Sequence, residues 1–294
     1  MYFNNEDIHC WTKERKVLTD KQTHIPALRS FGYYCTNKAT ASISHHMHNN
    51  QLELHYVVEG NQKFYIKSKE FSLTGNDMFV TSPNVPHSSG ISLMTMREVY
   101  WMHIDMNLTE NFLGLNAING SFLRKKLESL QNTVYAGNSE ATKYIKNAFN
   151  DLSSTDRGLQ ISGYGNLLCF FQEAITFALK DGKKMEENIK ATMNYITENI
   201  YNNISLDTLS QLSGLSVSRF KYKFKQQVGI SPRGYINTLK IEESKKLLEK
   251  GYSITDVAFT LGFNTSTYFA TVFKQYTTIS PSDFQKNSLS NMAY

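Results

Sequence analysis

The apolar positions in the last third of the chain follow a frame that occurs twice, about 48 residues apart. Each copy has apolar residues at helical spacing, then a glycine, two phenylalanines four residues apart, and a Ser-Pro step. The first copy contains Leu206, Leu209, Gly214, Phe220, Phe224, Ser231 and Pro232, and the second contains Ile254, Val257, Gly262, Phe269, Phe273, Ser280 and Pro281. Each copy predicts a short amphipathic helix, a tight turn and a second helix, which is the outline of a helix-turn-helix. Two such motifs in tandem indicate a unit that binds DNA through two major-groove helices.

Polar residues at the expected helix starts support this interpretation. We predict N-caps at Ser216 and Asn264, just past the two turns, and a capping box formed by Ser253 and Asp256. Between the copies, residues 233–250 predict one helix about 27 Å long. That length is close to the ~34 Å helical turn of B-DNA, so one connector can hold two recognition helices on one DNA face.

The charge of the chain is modest, and its distribution is more informative than its total. The chain carries 31 basic and 26 acidic residues, for a net charge of +5. From Thr208 to Ile241, however, there are basic residues and no acidic one: Arg219, Lys221, Lys223, Lys225, Arg233 and Lys240. A solvated helix face is the alternative interpretation, but the absence of acidic residues favours a footprint for DNA phosphates.

Short alternating runs predict β-strands in the front of the chain, from Ile43 to about Asp105. The predicted strands are Glu53–Val58, Lys63–Lys67, Met78–Thr81 and Arg97–Ile104, and the breaks between them fall at Gly60, at Gly75-Asn76-Asp77 and at Ser82-Pro83-Asn84. Evenly spaced short strands favour a double-sheet β-barrel or jelly roll.

The middle of the chain predicts two helices, Glu140–Leu152 and Leu159–Lys180. The second helix has two apolar faces: Tyr164, Leu168, Phe171, Ile175 and Ala178 form a coiled-coil-like seam, and Leu167, Phe170, Ala174 and Phe177 form the other. Such a helix must be buried on both sides, against its own barrel and against either a partner subunit or a fully intramolecular core. Asp181-Gly182-Lys183-Lys184 then predicts a linker, and Glu186–Asn199 begins the DNA-binding domain.

Length and cysteine content limit the class of protein. A chain of 294 residues predicts two domains. The N-terminus shows no charged and apolar leader, and no apolar stretch is long enough to span a bilayer, so we expect no membrane partner. Cys10, Cys35 and Cys169 are scattered and odd in number, which fits a reducing cytoplasm and free thiols.

The stretch Ile204–Phe284 resembles the tandem helix-turn-helix domain of the AraC/XylS family of transcription regulators. The residues that carry the resemblance are Gly214-Leu215-Ser216, Phe224-Lys225, Gly229 with Ser231-Pro232, Ile254 with Val257-Ala258, Gly262-Phe263, Tyr268-Phe269, Phe273-Lys274 and Ser280-Pro281. The chain departs from the family pattern at Lys240, where arginine is usual, at Thr278, where glycine is usual, and at Phe284-Gln285.

The resemblance implies which residues contact DNA. Base contacts are expected from the exposed face of each recognition helix, at Ser218, Lys221, Tyr222, Ser266, Thr267 and Thr271. Arg219, Lys225 and Lys274 complete the predicted DNA-binding set. A lysine can donate to guanine O6 or N7, and threonine methyls can pack on thymine. The second helix has Lys274 as its single basic residue, so we expect it to contribute less affinity.

A second resemblance lies in the predicted barrel. His46-x-His48, Glu53 and Gly60, followed by Gly75-x-Asp77 and His87, are similar to the two motifs of the cupin fold, which would bring His46, His48, Glu53 and His87 together inside the barrel. We expect them to line a pocket for a small polar effector such as a sugar. A divalent metal is the alternative, because imidazole suits zinc, iron or nickel. His45 and His55 fall outside the pattern and are expected on the surface or as satisfied core histidines.

The sequence thus predicts an α+β chain: a cupin-like domain over residues 1–110, a helical dimerisation segment and linker over 111–184, and a tandem helix-turn-helix domain over 185–294. The expected function is that of an effector-responsive, homodimeric transcription regulator that binds promoter DNA, with RNA polymerase as a further partner. No cofactor is expected beyond the alternative of a metal. The rival function is a cupin metalloenzyme that uses His46, His48, Glu53 and His87.

Overall fold

The computed structural model describes residues 3–4, 8–36, 43–89, 98–130, 132–178 and 185–291. The described residues through 178 form one compact unit, and those from 185 onward form a second. The predicted linker, residues 181–184, lies outside the described residues, as do Arg97 and Lys180 at the ends of two predicted elements.

The first unit is built on an antiparallel sheet. The strands of the unit are β1 Phe3–Asn4, β2 Cys10–Trp11, β3 Arg15–Thr19, β4 Leu28–Cys35, β5 His46–Met47, β6 Gln51–Glu59, β7 Asn61–Ile66, β8 Lys69–Thr74, β9 Asp77–Thr81, β10 Glu98–Asp105 and β11 Thr133–Ala136. Seven of them form the main sheet, in the order β11-β9-β6-β10-β4-β3-β2. A hairpin of β7 and β8 and a short parallel pair of β1 and β5 accompany it. The predicted sheet-rich first domain is confirmed.

The central strand β6 divides its side chains between two different surroundings. Leu52, Leu54 and Tyr56 point to one face and join a core shared with the helices. Glu53 and Val57 point to the other face, because successive side chains of a strand alternate. On that face Val57 packs with apolar residues of the β7–β8 hairpin, β9 and β10: Phe64, Phe71, Leu73, Phe79 and Val99.

The helices of the first unit cover one face of the seven-stranded sheet. They are α1 Asp20–Thr23, α2 Ala117–Ser129, α3 Ser139–Leu152 and α4 Arg157–Ala178, with a short 3-10 turn at Phe112–Gly114. Both predicted apolar faces of α4 contribute to the intramolecular core: Leu167, Phe170, Phe171, Ala174 and Ile175 are buried in it. The intramolecular alternative for this helix therefore holds for Phe171 and Ile175, which are 1% and 8% exposed.

The second unit consists of helices, as predicted. They are α5 Glu187–Glu198, α6 Leu206–Ser213, α7 Val217–Val228, α8 Pro232–Glu249, α9 Ile254–Thr260, α10 Ser266–Thr277 and α11 Pro281–Asn291. We call α6 and α7 copy one, and α9 and α10 copy two. Each copy has its own core, one around Phe220 and Phe224 and the other around Phe269 and Phe273.

Side-chain caps define the helix starts in both copies. Ser216 accepts a hydrogen bond from the Arg219 N–H at the start of α7. The prediction of Asn264 as the cap of α10 is wrong, because Thr265 accepts the bond from the Tyr268 N–H instead. Copy two has one more residue between its glycine and its cap than copy one: Leu215 alone separates Gly214 from Ser216, whereas Phe263 and Asn264 separate Gly262 from Thr265.

Candidate functional sites

The first candidate site begins with a row of polar residues that crosses the large sheet. In the antiparallel register His103 of β10 lies opposite Glu53 of β6 and also opposite Ser30 of β4. Thr81 of β9 lies opposite Glu53 on the other side. All four side chains are at most 4% exposed, so the sheet places a buried polar row on its non-helical face.

Backbone pairing brings the remaining histidines to this row. His46 and His87 exchange two backbone hydrogen bonds, of 3.0 and 2.9 Å. The His48 carbonyl accepts from the N–H of Asn84 at 3.0 Å. The segment that carries His87 is thereby fixed beside β5, and the imidazole rings of His46 and His87 have their centroids 4.3 Å apart.

The two oxygens of Glu53 face different histidines. Oε1 lies 2.8 Å from Nε2 of His55 and 3.0 Å from Nε2 of His103. Oε2 lies 2.6 Å from Nε2 of His87 and 3.7 Å from Nε2 of His48. Four histidines therefore surround one carboxylate that is 4% exposed.

Backbone carbonyls orient two of the imidazole rings. Nδ1 of His46 lies 2.8 Å from the Ser44 carbonyl, and Nδ1 of His87 lies 2.9 Å from the Val85 carbonyl. A carbonyl can only accept, so each Nδ1 carries the hydrogen and each Nε2 is directed into the site. This orientation by a second hydrogen bond is typical of histidines that bind metals.

Several buried atoms of the site lack a hydrogen-bond partner among the described residues. They include Nε2 of His48, Nε2 of His87 and Oε2 of Glu53. The 2.6 Å contact between His87 and Glu53 is thus an ion-pair contact without hydrogen-bond alignment. Unsatisfied buried polar atoms are costly and in native proteins have an explanation, such as an ion.

The spacing of the predicted ligands fits a single ion. One ligand atom each from His46, His48, Glu53 and His87 lies within 4.8 Å of the others. Three imidazole nitrogens and a carboxylate oxygen are a donor set for a first-row divalent metal.

Burial and mutual charge set the protonation of these groups. Burial lowers the pKa of the His48 imidazole to about 3, so this ring is neutral at physiological pH. Burial also lowers the pKa of His46. Burial opposes ionisation of Glu53, but the adjacent histidines outweigh it and hold its pKa well below the usual range. Burial lowers and Glu53 raises the pKa of His87, with a net increase. Metals bind an ionised carboxylate and neutral imidazoles, so an ion would displace the proton that Glu53 favours on His87.

Two residues of the site were not predicted. His103 lies at an inward position of a predicted strand, on the same face as Val99 and Trp101, so strand alternation could have placed it on the inner face. Its position beside Glu53 depends on the register of β10 and β6. His55 was expected to lie on the surface or to be a satisfied core histidine. It is 5% exposed and contacts Glu53 through Nε2, although its Nδ1 has no hydrogen-bond partner among the described residues.

The second candidate site is the outer face of α7. Its predicted contact residues are all exposed: Ser218, Arg219, Lys221, Tyr222 and Lys225. Arg219 lies over the Tyr222 ring at 5.7 Å, so the two side chains share one surface. Lys223 differs, because it forms an ion pair of 2.7 Å with Glu186 and is turned away from this surface.

The corresponding face of α10 carries less charge. Thr267, Thr271 and Lys274 are exposed, and Ser266 is half-buried at the first position of the helix. The Thr271 hydroxyl donates to the Thr267 carbonyl at 3.0 Å, so its hydrogen is committed within the helix. Its methyl group remains suited to an apolar contact.

Lys240 is a structural residue of the second unit. It is 4% exposed, and its Nζ donates to the Asn202 carbonyl at 3.0 Å and lies 5.3 Å from the centre of the Phe263 ring. A buried ammonium group cannot reach a DNA phosphate. Lys240 connects the helix α8, the segment before copy one and the turn of copy two.

No helix in the described part of the chain combines the length and the apolar composition needed to cross a bilayer. The helix-turn-helix domain family matches residues 209–287, and the AraC-like ligand binding domain family matches residues 34–165. The two matches cover the two units separately.

Curated relatives are transcriptional regulators. The chain is 38% identical over 98 residues to an uncharacterized HTH-type regulator in the cgkA 5' region of Pseudoalteromonas carrageenovora, covering 33% of this chain and 58% of that protein. It is 34% identical over 90 residues to the regulator YbfI of Bacillus subtilis, covering 31% and 32%. A Haemophilus influenzae HTH-type regulator is 21% identical over 296 residues, covering 91% and 98%. The chain thus spans less than two thirds of the first two relatives.

These matches confirm the expected ligand-binding and helix-turn-helix domains, and the relatives are regulators, which does not support the rival metalloenzyme. The boundaries given for the domains stay a prediction. A ligand-binding unit built on an antiparallel sheet precedes a tandem helix-turn-helix unit. The chain belongs to the AraC/XylS family of transcriptional regulators.

Proposed function

We propose that this chain regulates transcription by binding promoter DNA through α7 and α10, under the control of a ligand held in the first unit. The observation that supports it most directly is the pair of capped helices that present exposed polar faces on a duplicated frame. Helices of this kind enter the major groove and place side chains against base edges.

The exposed residues divide by chemistry into two groups. Lys221 is suited to donate to guanine O6 or N7, and Thr267 and Thr271 are suited to thymine. Arg219, Lys225 and Lys274 are suited to phosphates, which position the protein on the duplex without reading sequence. Ser218, Tyr222 and Ser266 complete the proposed surface.

The test uses the full-length protein and an operator selected from a random duplex pool. Lys221→Ala should weaken binding to the selected operator by ~1–3 kcal/mol and relax the preference at one base pair. Lys125→Ala is the matched control, because Lys125 is exposed on the first unit. Equal losses on operator and random DNA would assign Lys221 to a phosphate. Undiminished binding by the variant would remove α7 from the interface.

We further propose that the ligand of the first unit is a first-row divalent metal ion held by His46, His48, Glu53 and His87. When bound, the ion would act as a Lewis acid that satisfies the buried nitrogens and the second carboxylate oxygen. A sugar or other small polar effector held by the same four side chains stays a prediction.

Metal analysis of the purified chain tests this proposal. After unbound Zn²⁺ has been removed by dialysis, the wild type should retain about one equivalent of Zn²⁺. The bound ion should also raise the thermal stability of the protein, because an ion that binds only the folded state stabilises that state. The double variant His48→Ala with Glu53→Ala should lose both effects. A wild type that binds no Zn²⁺ and is stabilised by a polar organic effector would replace the metal with the sugar-type ligand.

Dimer formation is proposed through an exposed apolar surface instead of the predicted seam. Ile118 and Phe122 lie one turn apart on α2 and are 82% and 63% exposed. Large apolar side chains grouped on a surface are typical of interaction sites. Ile118→Glu with Phe122→Glu should yield a folded monomer in sedimentation, and an unchanged dimer would place the interface elsewhere. We also propose RNA polymerase as a partner of this regulator.

A further inference from the structure

Side chains of the protein hold the carboxylate of Glu53 from one side. Oε1 accepts hydrogen bonds from Nε2 of His55 at 2.8 Å and from Nε2 of His103 at 3.0 Å. Oε2 has no hydrogen-bond partner among the described residues. Oε2 faces Nε2 of His87 at 2.6 Å and Nε2 of His48 at 3.7 Å without a hydrogen bond, so hydrogen bonds fix one oxygen and leave the other to an ion.

We infer that His55 and His103 are positioning residues that hold Oε1 of Glu53 and leave Oε2 as the single carboxylate donor to a metal ion. We call these two histidines the clamp. The inference rests on the proposed metal site of His46, His48, Glu53 and His87. It adds two residues that touch Glu53 without being proposed as ligands.

Hydrogen-bond roles in the clamp follow from the ionised state of Glu53. The carboxylate can only accept, so Nε2 of His103 carries its hydrogen and Nδ1 accepts from another group. That group is the Ser30 hydroxyl, 2.9 Å from Nδ1. The chain Ser30–His103–Glu53 crosses three strands, since the residues lie opposite one another in the register of β4, β10 and β6.

His55 reaches the same oxygen from within β6. It lies two residues beyond Glu53, so both side chains point to the same face of the sheet. Its ring packs against Phe64 with centroids 4.5 Å apart, which fixes the direction of Nε2. The clamp thus has one arm in the same strand as Glu53 and one arm in the neighbouring strand.

The clamp determines how Glu53 can bind an ion. Two N–H donors occupy the lone pairs of Oε1, so this oxygen cannot also coordinate the ion and bidentate binding is excluded. Oε2 remains within the set of atoms that lie within 4.8 Å of one another. A held ligand requires no ordering when the ion arrives, and partners of this kind typically change metal affinity by ~10–100-fold.

The experiment compares Zn²⁺ and Co²⁺ binding in full-length variants. His103→Ala removes one arm, His103→Gln restores an N–H donor near the position of Nε2, and His45→Ala is the control, since His45 is exposed beside the site. Zn²⁺ affinity is measured by competition with a chelating dye. The coordination of Co²⁺ is followed by its visible absorption spectrum.

We expect His103→Ala to bind Zn²⁺ ~10–100-fold more weakly than the wild type and to shift the Co²⁺ spectrum as Glu53 becomes free to bind through both oxygens. His103→Gln should recover most of the affinity and the wild-type spectrum, and His45→Ala should match the wild type. His55→Ala should resemble His103→Ala. If His103→Ala lost Zn²⁺ affinity only because it misfolded, His103→Gln would not restore both the affinity and the wild-type Co²⁺ spectrum.

Two results would overturn the inference in distinguishable ways. If the wild type binds Zn²⁺ tightly and His103→Ala and His55→Ala bind it equally with an unchanged Co²⁺ spectrum, the clamp is wrong and the metal site stands. If the wild type binds neither Zn²⁺ nor Co²⁺, the metal site and the clamp fall together. Should His103→Ala prove unstable, the comparison of His103→Gln with His103→Leu decides, because leucine fills similar space without a donor.

Discussion

Copies one and two of the helix-turn-helix place a glycine at almost the same backbone angle, with φ of 67° at Gly214 and 66° at Gly262. The surroundings of the two glycines differ. A Cβ at Gly262 would lie 2.7 Å from the carbonyl carbon of Asn202, whereas no atom of the described residues lies within 4 Å of a Cβ at Gly214. The Asn202 carbonyl also accepts from Lys240, so the turn of copy two is packed into a junction and the turn of copy one is open.

The outer faces of the copies differ in the opposite sense. Arg219, Lys221 and Lys225 lie exposed on α7, and Lys274 is the single basic residue of α10. Copy one therefore has the larger electrostatic surface and copy two the larger internal constraint. In a duplicated unit of this kind, copy one can therefore supply most of the DNA affinity, while the packed turn of copy two fixes the spacing between the copies.

The largest expected effect is on stability at the glycines. Gly262→Ala should destabilise the second unit by about 3 kcal/mol or more, since the strain of a left-handed φ adds to a clash with backbone. Gly214→Ala should cost about 1 kcal/mol, because it has strain without a clash. Denaturation followed by helical circular dichroism measures both. Trp11 and Trp101 lie in the first unit, so their fluorescence is an internal control. Equal losses at the two positions would remove the proposed asymmetry.

The next effect concerns DNA affinity. Each phosphate that a basic side chain neutralises contributes ~0.9 to the slope of log K against log salt. Replacing Arg219 and Lys225 together by glutamine should therefore reduce this slope by about 1.8, and Lys274→Gln should reduce it by about 0.9 at most. Titrations of the full-length protein with one duplex at several salt concentrations measure both slopes. Similar slopes for the two variants would show that the copies share the electrostatic interaction.

A smaller effect is predicted for the pH dependence of stability at Lys240. Burial lowers the pKa of this ammonium from its usual 10.5 to about 8. Between these values the unfolded chain binds a proton that the folded chain does not, so stability should rise with pH from about 8 to 10.5. The rise should be at most about 3 kcal/mol relative to Lys240→Met, because each pKa unit is worth about 1.4 kcal/mol. Denaturant unfolding of the wild type and of Lys240→Met measures the free energy of unfolding across this pH range. Parallel curves of this free energy against pH would contradict a lowered pKa for Lys240.

The smallest effect concerns the ends of α7 and α10. Gly229 ends α7 with φ of 80°, and Thr278 ends α10 with φ of 67°. A β-branched residue is strained in this region, so Thr278→Gly should stabilise copy two by about 1 kcal/mol. Thr278→Ala serves as the control, since it removes the branch and keeps the Cβ. A destabilised glycine variant would show that the Thr278 hydroxyl bond to the Thr277 carbonyl outweighs the strain.

The duplicated frame was predictable because helical spacing, glycine and cap residues act locally. The residues of α6, α7, α9 and α10 follow from these signals. The cap at Thr265 follows from the phenylalanine frame, since Thr265 lies four residues before Phe269 and Ser216 lies four residues before Phe220. The burial of Lys240 depends on the packing of distant segments against each other, which local spacing does not encode.

The site in the sheet was partly predictable for the same reason. His46, His48, Glu53 and His87 belong to the two motifs that carry the cupin resemblance. His103 lies outside both motifs, 50 residues after Glu53, and reaches it only through the register of β10 and β6. The seam on α4 shows the converse limit. Its apolar period is the same whether the helix meets a second subunit or its own sheet, and the packing of Phe171 places it in its own core.

The alternation of β6 links the site to the accuracy of folding. A slip of one residue in the pairing of β6 would move Leu54 to the polar row and Glu53 into the apolar core, exchanging every side chain between the two faces. The cluster of donors can therefore assemble only in a sheet whose strands have found their native partners. An ion bound at the proposed site would therefore stabilise only the native register, because a misregistered sheet does not bring the donors together.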